Sequence, residues 1–144
     1  MELFRLDSVA PAVAERFRQT SSSKRREAVR VACQHAAATV GLAAQEVSEA
    51  LAVLRGAAAP DVSLRERLES FAADFDDQYF RLDEDGDAAQ KQEALRLFSK
   101  ARATSALAFA LSADEAHLHE AIYEAISAMD EPAELVRLVE GALG

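Results

Sequence analysis

Tryptophan is absent from this 144-residue chain; cysteine occurs once, proline three times and glycine five times. The single thiol, Cys33, has no partner for an internal bridge, which excludes a disulfide scaffold and suits a reducing, cytoplasmic setting. So little glycine and proline excludes collagen and flexible low-complexity chain. No apolar run approaches the ~20 residues of a membrane span, and Met1–Ala10 carries acids where a signal peptide carries bases. Neither a membrane nor export is therefore expected. Enzyme signatures are missing too: there is no Gly-x-Gly-x-x-Gly, phosphate loop, Cys-x-x-Cys or Gly-x-Ser-x-Gly. What fills the chain instead is alanine, 32 residues of it, in a composition that is 50% hydrophobic but only 6% aromatic. Alanine is the best helix former and among the smallest side chains, so closely crossing helices are expected. The length suits one domain over residues 1–144.

Apolar residues recur at helical spacing almost throughout. Asp7 or Ser8 caps a first short helix with Pro11 near its opening, and Thr20–Ser23 caps a second that Gly41 closes. Val47, Leu51 and Leu54 line a third, ended by Gly56. Ser63 with Glu66 fits a capping box for a fourth, and Asp87 with Gln90 opens the next. Ser112 with Glu115 opens a sixth, and Pro132 leads the last. The spacing predicts an all-α, single-domain antiparallel bundle of six or seven helices, with a central apolar helix near residues 88–111. From Ala101 to Leu111 that helix is apolar nearly all round, interrupted by Arg102 and Ser105. A guanidinium placed there needs a carboxylate, and a buried ion pair of Arg102 with Glu120, Glu124 or Asp77 is expected.

Charge is uneven. Residues 1–59 carry eight bases and six acids, residues 60–93 four and eleven, and residues 94–144 four and eight, for a total of −9. The acidity centres on Asp74–Asp87, and the only basic cluster is Lys24-Arg25-Arg26 with Arg30. A preferred face for a basic partner is expected there, formed by Asp74, Asp76, Asp77, Asp83 and Asp85, with Tyr79 and Phe80 supplying apolar area. Acids that merely keep an alanine-rich bundle in solution, with Tyr79 and Phe80 completing its core, would show the same pattern.

Three sharper patterns are weaker than they look. Asp83-Glu84-Asp85-Gly86-Asp87 fails the calcium-loop register whether Asp83 is taken as position one or Gly86 as position six. His117 and His119 point about 200° apart on a helix, and His119-Glu120-Ala121-Ile122-Tyr123 has tyrosine where a zinc-protease helix needs histidine. Asp114, His117, Glu120 and Glu124 do share a stripe, which leaves a carboxylate-rich metal enzyme as an alternative. Cys33–Ala52 has the small residues and the glycine of a helix-turn-helix, so a transcription-type regulator is another. Its second helix nonetheless offers two acids and no base to a phosphate backbone, which argues against nucleic acid. Cys33 itself, on the apolar face of its helix, reads as a buried and inert thiol.

At Ala32-Cys33 through Val40-Gly41-Leu42, Asp76-Asp77-Gln78-Tyr79-Phe80, Phe98-Ser99-Lys100-Ala101-Arg102-Ala103 and Glu120-Ala121-Ile122-Tyr123-Glu124-Ala125, the chain resembles small all-helical bacterial proteins of unassigned function. In size, acidity and helical make-up it is also similar to immunity proteins. That second likeness implies a non-enzymatic protein that inhibits a basic protein partner by masking it, with no cofactor and no metal, and it transfers no binding residues. An uncovered apolar helix face would also allow a homo-oligomer.

Overall fold

The computed structural model describes residues 3–144, apart from the side chains of Asp83, Glu84 and Asp85. Among the described residues there are eight α-helices, one 3-10 turn and no strand. The helices are α1 (Arg5–Val9), α2 (Pro11–Gln19), α3 (Ser22–Val40), α4 (Gln45–Leu54), α5 (Val62–Asp85), α6 (Ala88–Ala110), α7 (Leu118–Ser127) and α8 (Ala133–Leu143), with the 3-10 turn at Glu115–His117. The all-helical expectation holds, but the count is eight rather than six or seven. The additional element is α1, which precedes the expected first helix. Asp7 lies inside it and reaches back to accept the Phe4 backbone N–H at 2.7 Å. Ala10 leaves helical geometry, and Pro11, which has no N–H to lose, starts α2.

Local chemistry explains most of the remaining boundaries. Ser21 accepts the Lys24 N–H to start α3, and Gly41 ends it at φ 75°, ψ 38°. There the Gly41 and Leu42 N–H groups both reach the Ala37 carbonyl, a left-handed cap that glycine adopts without a Cβ penalty. Asp61, not Ser63, caps α5, because its carboxylate accepts both the N–H and the hydroxyl of Ser63 at 2.9 Å each. The Asp87–Gln90 capping box of α6 forms in full, with both bonds at 2.9 Å. Ser112 does not cap a helix. Asp114 caps the 3-10 turn by accepting the Ala116 N–H, and α7 follows directly. Between α5 and α6 only Gly86 and Asp87 remain, and a Cβ on Gly86 would overlap the Leu82 carbonyl oxygen. That close approach of backbone to backbone is what demands glycine in so short a link.

The core gathers α3, the second half of α6, α7 and α8, with α1, α2, α4 and the start of α5 closing over them. Leu107, Leu118, Ile122, Leu135, Val29 and Leu68 supply the large buried side chains. Alanines fill the crossings: Ala28, Ala32 and Ala36 on α3, Ala103 and Ala106 on α6, and Ala121 and Ala125 on α7 have no exposed surface. Small residues at these positions let helix axes approach closely. Residues of α6 from Ala101 onward fit the expected central element, since α6 packs against α3, α4, α5 and α7. Its first half does not. Leu95 there is 61% exposed, and Ala94 and Leu97 are buried outside the main core.

Candidate interaction surface

Helix α5 decides which of the acidic residues are available. Ala72 is buried, so positions four and seven further on, Asp76 and Tyr79, are drawn toward α6. Asp76 there accepts Arg102 Nη2 at 2.8 Å, and the Tyr79 ring lies 5.5 Å from that of Phe98. Asp76 is thus half-buried with its carboxylate already engaged by Arg102, unlike the free acid expected on a partner-binding face. Asp74 and Asp77 point outward and are exposed. Phe80 is 63% exposed, with its ring 5.2 Å from Tyr79. Tyr79 is braced below and Phe80 rests on it, amid acids. The side chains of Asp83 and Asp85 lie outside the described residues.

Arg102 makes a wider network than a single pair. Its Nη1 donates to Glu124 Oε2 at 3.1 Å while Nη2 serves Asp76, and its Nε has no hydrogen-bond partner among the described residues. The other Glu124 oxygen accepts from Arg5 at 3.2 Å, and Arg5 also binds Glu120. Glu124 is therefore the expected partner of Arg102. Asp76 stands where Asp77 was one of the candidates, because only position 76 falls on the α6 side of α5. Glu120 is corrected to a partner of Arg5. The chain of charges Glu120–Arg5–Glu124–Arg102–Asp76 ties α1, α7, α6 and α5 together. Nothing in the spacing could reveal Arg5, which meets Glu120 across 115 residues.

Beside it, Phe4 stacks on His119 with ring centres 3.7 Å apart, and the Arg18 guanidinium lies over the Phe4 ring, 4.4 Å from its centre. The Arg18 guanidinium, then the Phe4 N–H, hold the Asp7 carboxyl below its ordinary range. Arg30 does the same for Glu27, the Ser63 hydroxyl for Asp61, and the Ser22 hydroxyl for Glu115. All four folded values lie below the unfolded ones. Their stabilisation is complete above the ordinary carboxylate range and is lost as pH falls through the depressed values. The urea midpoint is therefore expected to hold from pH 7 to about 5 and to drop below about pH 4.5, with a smaller drop for Asp7→Asn. A midpoint that is constant or rises in acid would contradict this.

The alternative sites do not assemble. Asp114 caps the 3-10 turn, the His117 ring nitrogen Nδ1 lies 3.2 Å from the Ser112 hydroxyl, and Glu120 and Glu124 face arginines. Among the described residues, no group of three or more His, Cys, Asp or Glu side chains is placed to hold a metal ion. Cys33 has no exposed surface, and burial pushes its thiol up to about 12. The tight corner expected within Cys33–Ala52 does form at Gly41, but α4 contains no base, and its Glu49 pairs with Arg67. The three arginines of the basic cluster are also occupied. Arg25 donates to the Phe17 and Arg18 carbonyls at the end of α2, Arg26 pairs with Glu115 and Arg30 with Glu27. Among the described residues, no helix is long and apolar enough to cross a membrane. Compared with protein-family models, curated proteins and solved structures, the chain matches none.

Proposed function

We propose that this chain is a non-enzymatic interaction protein that masks a basic protein partner with the outer face of α5. One observation carries the reading. Phe80 stands 63% exposed on a ring support of Tyr79 and Phe98, with the exposed carboxylates of Asp74 and Asp77 on the same helix. A prepositioned aromatic loses little freedom on docking and gains much buried area, which is how interface anchors work. The net −7 of residues 60–93 would speed encounter with a basic surface and make it sensitive to salt. Asp76 takes the different role of holding α5 against α6. This would be the mode of action of immunity proteins, which the chain resembles only in size, acidity and helical make-up, and a cytoplasmic setting, where the Cys33 thiol stays reduced, goes with this reading.

The test is affinity capture from the organism that carries the gene, with wild type, Phe80→Ser and the double variant Asp74→Asn/Asp77→Asn immobilised in parallel. The expected result is one basic protein held by the wild type at low salt and weakened at least about tenfold by Phe80→Ser. For the double variant the expected loss is in association rate. Identical capture by all three forms would overturn the assignment to α5.

A further inference from the structure

Two cavities on the other side of α6 meet at one side chain. The inner one, roughly 230 Å³, lies between the α3–α4 corner and helices α5 and α6 and is walled by Leu42, Val47, Phe71 and Phe75. The outer one is an open groove of roughly 910 Å³, flanked by His35, Thr39, Arg96 and Ser99 and, on the α7–α8 link, by Asp130 and Glu131. Lys100 and Gly41 line both. Thr104 also borders the inner cavity, but its hydroxyl donates to the Lys100 carbonyl at 2.7 Å, so that wall has no free donor.

Lys100 is unusual among the bases of this acidic chain. Six described bases are half-buried: Arg18, Arg25, Arg30, Arg65, Lys100 and Arg102. Arg18, Arg30, Arg65 and Arg102 pair with carboxylates, and Arg25 donates to two carbonyls. Among the described residues the Lys100 ammonium alone of these has no partner. The Lys100 ammonium itself still reaches water, so what sets it apart is position: an unpaired cation whose residue lines both an apolar cavity and an open groove.

We propose that Lys100 anchors the carboxylate of a small acyl or aryl acid whose apolar tail occupies the inner cavity. The ammonium supplies the counter-charge at the mouth, while Phe71, Phe75, Leu42 and Val47 remove the tail from water. At ~30 Å³ per small group, the volume admits a tail of about seven or eight heavy atoms. An alcohol of the same length would lose the charge pairing, and an amine would meet like charge. This site is independent of the α5 face, and neither stands or falls with the other.

Calorimetric titration with octanoate, octanol and octylamine tests it, using wild type, Lys100→Gln and Ala43→Trp, the last placing bulk at the cavity wall. Octanoate is expected to bind the wild type with a Kd below about 1 mM, and Lys100→Gln to weaken it at least about tenfold. Octanol and octylamine should bind the wild type no better than octanoate binds Lys100→Gln. Circular dichroism confirms that each variant is folded. Absence of octanoate binding at about 10 mM, an unchanged Kd in Lys100→Gln, or equal binding of octylamine would each overturn the proposal.

Discussion

Glu124→Ala is expected to lower the free energy of unfolding by about 3–5 kcal/mol, the range for breaking a buried ion pair from one side. The Glu124 side chain is only 4% exposed, yet both its oxygens are in use, one toward Arg5 and one toward Arg102. Alanine removes the charge that lies between two guanidiniums and leaves a void at the α6–α7 contact. Arg102, itself 22% exposed, keeps Asp76 alone. Glu120→Ala makes the control. It strips a charge from Arg5, which is 49% exposed, so solvent compensates and the loss should stay under about 1 kcal/mol. Replacing both partners, as Glu124→Leu with Arg102→Met, should recover much of the single-mutant loss, because no uncompensated charge remains buried. Urea unfolding of the four proteins decides the matter. A Glu124→Ala cost below about 1 kcal/mol would show that water screens the network.

Leu107→Ala should cost about 2–5 kcal/mol, toward the upper end. Leu107 has no exposed surface and sits on the stretch of α6 that packs against its neighbours. The flanking Ala103 and Ala110 have no rotamers with which to collapse into the gap, so most of the cavity persists. One residue away the opposite change is also harmful. Ala106 is fully buried, and Ala106→Leu must push apart helices that alanine allows to approach, at about 1–3 kcal/mol. Thermal and urea unfolding measure both. A leucine tolerated at 106 within about 0.5 kcal/mol would mean that the crossing there is loose.

These two positions show how differently fold and surface could be read in the chain. Alanine abundance with few glycines and prolines foretells close helix crossings, and the buried alanines of α3, α6 and α7 occupy them. Gly41, Asp87 with Gln90 and Pro132 mark boundaries correctly because each acts within four residues of itself. Where a local signal misleads, a stronger neighbour wins: the Asp61 carboxylate displaces Ser63 as the cap of α5. The acidic face is legible as charge but not as geometry, since a stripe of aspartates does not reveal which member turns inward. Asp76 does so because it follows buried Ala72 by four residues. Counting from Leu68 and Ala72 could have located it, whereas nothing local could have paired Arg5 with Glu120.

Composition and spacing thus account for an all-helical chain, for most of its helix boundaries, for the crowding of alanine into its crossings and for the placement of negative charge on its middle third. Hydrogen bonds of caps and the 3.6-residue period are short-range, so a linear reading captures them. The packing of eight helices settled the rest: Glu124 between two arginines, Phe80 outward on a braced ring, and Lys100 half-buried at the junction of two cavities with no ion-pair partner among the described residues. Those features depend on which helix faces meet, and that is a balance of packing and desolvation over the whole core that no short stretch of sequence contains.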